Sequence, residues 1–252
     1  MISVQSLLTK WFGTLRGALK MANNTDLPRE RLLTQLRGSG IEIGALHRPV
    51  SAPHLSIRYV DRLTRAELYE AYPELRDLPI VESDILDDAE TLASVRDDTQ
   101  DFVIANHVIE HMRNPVAALL NWRRVLRPGG RLFMAVPDKH LTFDRERAIT
   151  PLAHVVEDYL HPDAQRDRQA FVDFALYVSC RVFHVRPESE AEAFAGELAA
   201  KNYSIHFHVW DKPAFDELLE YMERGIHDWR MRVIDSEPAM VDEFAYVMER
   251  QA

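Results

Sequence analysis

The stretch from Asp101 to His111 reads Asp-Phe-Val-Ile-Ala-Asn-His-Val-Ile-Glu-His, and it constrains the fold more than any other part of the chain. Phe102 to Ala105 is an unbroken apolar run, the pattern of a short strand buried on both faces. Polar residues follow, then Asn114-Pro115, which suit the cap and first position of a helix. A buried strand feeding a helix belongs to an open α/β sheet, in which ligands sit off the carboxyl ends of the strands. Asn106 and His107 stand at such an end.

The flanking sequence repeats this alternation. Ile41-Glu42-Ile43-Gly44 reads as a strand with an acid near its tip, and Ile57 to Val60 as a second strand ending at Asp61. Ile80 to Glu82 reads as a third, followed by Asp84, and Arg131 to Val136 as the fifth. Between them, Asp26 and Pro28 open a helix that Gly38 closes. Thr64 and Glu67 form a capping box, and Asp88 caps a helix to about Val95. The helix from Asn114 stops at Arg127-Pro-Gly-Gly130. Short strands alternating with helices predict a doubly wound, mostly parallel α/β sheet. Arg230 to Ile234 and Glu243 to Met248 complete seven strands as an antiparallel edge hairpin.

The alternation breaks between residues 139 and 202. Leu152, Val155, Val156, Tyr159 and Leu160, then Phe171, Phe174, Ala175, Val178 and Phe183, fall at helical spacing. The expected organisation is N-terminal helices over 1–37, a core over 38–138, a helical lid over 139–202 and completion of the sheet over 203–252. An oligomer interface is the other use of that insertion. Near the start, Leu8, Trp11, Phe12, Leu15 and Leu19 describe a basic amphipathic helix, expected to pack on its own domain rather than lie on a membrane.

Composition narrows the partners. A formal charge of −10 argues against a general nucleic-acid binder. The lone Cys180 excludes an internal disulfide and a cysteine-rich zinc site, which fits a cytoplasmic location. No apolar run is long enough to span a bilayer. The spacing from Glu42 to Asp61 suits a carboxylate that accepts both hydroxyls of a ribose, and nothing basic precedes the first turn, so a nucleoside without phosphates fits best.

Two metal patterns compete with that reading. His107, Glu110 and His111 spell H-x-x-E-H, the inverzincin zinc-hydrolase pattern. His206 and His208 would share one side of a strand over Tyr203 to Trp210. Neither explains Glu42, Asp61 and Asp84, and no metal is expected.

In order along the chain stand Glu42-Ile-Gly44, Val60-Asp61, Ser83-Asp84-Ile85, the 101–111 stretch and Leu126-Arg-Pro-Gly-Gly-Arg-Leu132. Over roughly residues 36–138 this set resembles the class I S-adenosylmethionine (SAM)-dependent methyltransferases. The resemblance implies a methyltransferase in which Glu42, Gly44 and Ala45 surround the methionine end of SAM and Asp61 takes the ribose. Asp84 and the backbone of Ile85 would take the adenine, and Asn106 and His107 would line the floor near the sulfonium. The chain departs from the family in its first loop, where Gly44 is followed by Ala-Leu-His-Arg-Pro instead of further glycines. A small-molecule or glycan-related acceptor, methylated on oxygen, fits an acidic chain with a large lid. His107 is the expected base and His111 a structural residue, with His154 and His208 in reserve. A non-catalytic scaffold on the same fold is the main alternative.

Overall fold

The computed structural model describes residues 27–238 and 240–252. The expected helix near the chain start lies outside them. Seven strands form one sheet in the order β3-β2-β1-β4-β5-β7-β6. They are β1 (Ser39–Ile43), β2 (Ser56–Asp61), β3 (Ile85–Leu86), β4 (Gln100–Asn106), β5 (Leu126–Pro137), β6 (Met231–Glu237) and β7 (Glu243–Arg250). The first five are parallel, and β7 runs antiparallel to both β5 and β6. The doubly wound sheet and its closing hairpin are therefore as the alternation predicted.

Local chemistry sets the helices. In α2 (Arg65–Ala71) the Thr64 hydroxyl accepts from the Glu67 amide while the Glu67 carboxylate takes the Thr64 amide, the capping box read from sequence. In α3 (Pro115–Val125) the Asn114 side chain accepts from the Ala117 amide at 2.9 Å. The apolar residues of β4 divide between two cores. Val103 and Ala105 pack with Ile41, Trp122 and, from α7 (Lys212–Gly225), Phe215. Phe102 and Ile104 pack on the other face with Leu32, Leu33 and Leu36, in and beyond α1 (Leu27–Leu33). Gly40 permits the closeness of β1 to β4, because a Cβ there would lie 2.2 Å from the Phe102 carbonyl oxygen.

After β5 come α4 (Leu152–Leu160), α5 (Ala164–Asp173), a π-helical continuation over Phe174–Val182, and α6 (Ala191–Ala200). The insertion is helical, as expected, but not uniform. Val155 of α4 joins the main core, whereas Phe171, Phe174, Val178, Phe194 and Leu198 form a core of their own.

Three local expectations are corrected. Ile80 is not in a strand: it is buried with Leu68 and Leu75 in a small satellite core, and the place beside β2 goes to Ile85–Leu86. Residues 88–95 form turns rather than a helix, with Leu92 donating back to the Asp88 carbonyl at 2.9 Å. Residues 203–210 run without strand pairing, held by the Phe207 and His208 amides on the Glu110 carbonyl.

Candidate active site at the carboxyl edge of the sheet

Glu42 on β1 is only 1% exposed. One carboxylate oxygen accepts from the Val50 amide at 2.9 Å, and the other lies 3.4 Å from the Asn106 side-chain nitrogen at the tip of β4. Burial pushes the Glu42 pKa up, and the Val50 amide, Asn106 and the charge of Arg29 only partly oppose it, leaving it at about 7. The Asn106 side-chain oxygen Oδ1 is buried with no hydrogen-bond partner among the described residues. Between these strand tips the chain turns through Gly44 (φ +64) and Leu46 (φ +48), with the buried Ala45 between them. Leu46 takes the left-handed conformation that a second glycine would take without strain, and its side chain packs against the satellite core. The loop thus keeps a glycine-type turn with a single glycine in it.

Asp61 ends β2, half-buried, with one oxygen accepting from the Leu63 amide at 3.2 Å. Burial raises its pKa against the pull of the Leu63 and Arg62 amides and the Arg62 charge. Asp84 stands elsewhere. It precedes β3, is exposed, and accepts from the Tyr59 amide at 2.8 Å, two residues short of the β2 tip. Ile85 pairs with Val60, so the tip of β3 is Leu86, opposite Asp61 and 54% exposed, followed by Asp87 and Asp88. Asp87 accepts from Asp88, Ala93 and Ser94 within the turn, while the exposed Asp88 accepts from the Glu90 amide at 2.8 Å with one oxygen. The sequence put Asp84 at the third strand tip because Ile80 looked like the strand; Asp84 instead precedes β3.

His107 follows the β4 tip with φ +52, a strained value for a side chain of this kind. Its Nε2–H donates to Glu243 at the start of β7 at 2.7 Å, and Arg29 also pairs with Glu243. Burial disfavours the charged ring, but the Glu243 hydrogen bond and the nearby acids outweigh it and hold the His107 pKa above its ordinary value. Burial alone would likewise raise Glu243; His107 and Arg29 bring it down to about 2. Nothing in the local sequence pointed to Glu243, which lies 136 residues from its partner.

The H-x-x-E-H pattern does not close on itself. His107 turns to Glu243, while Glu110 and His111 turn toward His206. The His111 Nδ1–H donates to the Ile205 carbonyl at 2.9 Å, and burial and the neighbouring His206 lower its pKa to about 3. His206 and His208 do not share a site, because His206 meets Asp144 and His208 meets Asp158.

Residues 51–134 match a family model described as a methyltransferase domain. Over that stretch, about a third of the chain, the protein is similar to methyltransferase domains. An uncharacterized 37.1 kDa protein of a Streptomyces fradiae transposon is 38% identical over 119 residues, 46% of this chain and 33% of that protein. The matched part thus spans about a third of that relative. The PH0226 protein of Pyrococcus horikoshii superposes with a TM-score of 0.50 at 17% identity, over 92% of this chain and 91% of that one. A SAM-dependent methyltransferase from Aquifex aeolicus aligns at 13% identity and a TM-score of 0.44, over 91% of this chain and 95% of that one. At 17% identity the likeness to the Pyrococcus horikoshii protein is one of fold.

The strand tips carry groups that suit SAM, the methyl donor that the resemblance implies. Its ammonium needs acceptors, and the unpartnered Asn106 oxygen and the Glu42 carboxylate are acceptors side by side. Its ribose hydroxyls need an acceptor, and the Asp61 carboxylate at the β2 tip is one. Its adenine needs an apolar face, and the exposed Leu86 stands in register with Asp61.

Proposed function

We propose that the protein transfers a methyl group from SAM to an oxygen of a small-molecule or glycan-related acceptor. The observation that carries this reading is the convergence of Glu42 and the unpartnered Asn106 oxygen at one end of the sheet's carboxyl edge that also holds Asp61. SAM supplies a methyl group already activated by its sulfonium, so the chain's main task is alignment. Asn106 and Glu42 hold the ammonium end, Asp61 the ribose, and Leu86 with Asp88 the adenine.

His107 is the proposed base. A carboxylate can only accept, so the Nε2 bound to Glu243 carries the proton and Nδ1 is the basic nitrogen. Glu243, in turn held by Arg29, positions the ring and stabilises its charged form. The two-cluster insertion fits a lid over α5 and α6 that forms the acceptor pocket, and a cytoplasmic location accords with the single buried cysteine. Among the described residues, no helix is long and apolar enough to cross a membrane.

Calorimetry with SAM and its demethylated product tests the reading. Binding at low-micromolar strength or somewhat weaker is expected. Asp61→Ala should weaken it roughly ten- to a hundredfold, the loss of hydrogen bonds worth about 1–3 kcal/mol. No binding by the wild-type protein refutes the cofactor assignment. SAM binding that persists without turnover on any sugar, phenol or carboxylate acceptor favours the scaffold.

A further inference from the structure

Three groups of titratable side chains near the sheet edge bring histidines and carboxylates together: His107 with Asp242 and Glu243, His154 with Asp158 and His208, and Glu110 with His111 and His206. The first two are internally satisfied. His107 and Arg29 both bind Glu243. Asp158 receives His154, His208 and Arg166, and the second nitrogen of His208 meets the Met112 carbonyl. The third group is different.

Glu110 is 1% exposed, and neither of its carboxylate oxygens has a hydrogen-bond partner among the described residues. Leaving a buried carboxylate unpaired is costly, so an arrangement of this kind calls for a partner. Two histidine nitrogens face it, His206 Nε2 at 3.7 Å and His111 Nε2 at 4.0 Å, both beyond hydrogen-bond range. Each ring is fixed from behind. His206 Nδ1–H donates to Asp144 at 2.6 Å, and Asp144 is itself held by Arg147 at 2.9 Å. His111 Nδ1–H donates to the Ile205 carbonyl at 2.9 Å, with the Ser204 hydroxyl 3.0 Å away. In the neutral form of each ring, Nδ1 carries the proton and Nε2 presents its lone pair toward Glu110.

This is the arrangement that metal-binding histidines adopt, with one nitrogen on the ion and the other donating to a carboxylate or carbonyl. The spacing suits it as well. Metal–ligand bonds of about 2.1 Å at a tetrahedral centre put ligand atoms roughly 3.4 Å apart. The three candidate atoms all lie within 4.8 Å of one another: the two Glu110 contacts need to close by a few tenths of an ångström, and the two imidazole nitrogens by at most about 1.4 Å. The set is drawn from two places that only the fold joins: the turn after β4 supplies Glu110 and His111, and the unpaired segment after the lid supplies His206.

We propose that Glu110, His111 and His206 bind one divalent transition-metal ion, with Asp144 orienting His206. Two imidazoles and a carboxylate suit zinc and its first-row neighbours rather than magnesium or calcium. Three protein ligands leave a coordination position for an exogenous oxygen donor, a water, hydroxyl or carboxylate, and the partly exposed His111 marks the side from which it enters. This site does not depend on SAM binding.

The test uses full-length, tag-free protein stripped with chelator and then titrated with Zn²⁺, and separately with Co²⁺ as a spectroscopic probe. Expected are one equivalent retained through gel filtration by elemental analysis, and a visible Co²⁺ absorption band of a nitrogen- and oxygen-ligated ion. Glu110→Gln and His206→Gln should each lower affinity at least a hundredfold, and Asp144→Asn ten- to a hundredfold by loosening the ring. His154→Ala should leave stoichiometry unchanged. A wild-type protein that retains no metal overturns the proposal, whatever the variants do. So does metal that survives Glu110→Gln in a protein with native circular dichroism, or that is lost with His154→Ala. Calorimetry with SAM on the stripped protein reads the methyltransferase assignment separately.

Discussion

Replacing Glu243 by glutamine isolates the contact that ties β7 to the tip of β4. Glu243 is 6% exposed and is bound by both His107 and Arg29. A carboxyl that titrates at about 2 in the folded chain rather than 4.5 contributes about 3 kcal/mol to stability at neutral pH. That is the size seen when one partner of a buried pair is removed, about 3–5 kcal/mol, and glutamine keeps part of the hydrogen bonding. Glu243→Gln should therefore cost about 2–3 kcal/mol. The pH dependence follows from the two directions. The Glu243 pKa is depressed, so its contribution is complete above pH 4.5 and is lost as pH falls toward 2. The His107 pKa is raised, so its contribution is complete below 6.5 and is lost as pH rises through the elevated value. The difference between wild type and variant should thus be largest between about pH 4.5 and 6.5. It should shrink sharply in acid and shrink partially in base, where Arg29 still pairs with the carboxylate. Urea unfolding at a series of pH values measures it. A difference that stays constant from pH 3 to pH 8 would refute the ion-pair account and leave only packing.

Two glycines should respond to alanine by different mechanisms. Gly44→Ala meets only an ordinary contact with Val108 at 3.5 Å, so its cost is that of the φ of +64, about 1–2 kcal/mol. Gly40→Ala collides with the Phe102 carbonyl and should cost about 3 kcal/mol or more, a contrast that denaturant midpoints resolve. Replacing residues 164–202 by a short linker should leave SAM affinity within a few-fold, because their core is separate from that of the sheet, and should abolish transfer. Loss of SAM affinity in proportion to activity, by calorimetry, would assign the segment to the cofactor site instead.

What the sequence determined by itself was local. An apolar run from Phe102 to Ala105 can hardly be other than a buried strand, Thr64 with Glu67 caps a helix through its own backbone, and Asn114-Pro115 starts one. These signals rest on neighbours along the chain, and with the order of the strand-tip residues they made the doubly wound fold and the places of Glu42, Asp61 and Asn106 legible. Tertiary structure decided what depends on distant partners. Ile80 and Ile85 are equally apolar, and which one enters the sheet was fixed by the satellite core under Leu68 and Leu75, which moved the third strand tip from Asp84 to the residues after Leu86. The pattern of His107, Glu110 and His111 looked like one unit because its spacing is regular. The chain reverses to positive φ at His107, sending that ring to Glu243, while Glu110 and His111 meet a histidine 96 and 95 positions farther on. Spacing along a helix fixes direction only where the helix forms, and here a short 3₁₀ turn over Ile109–His111 replaced it.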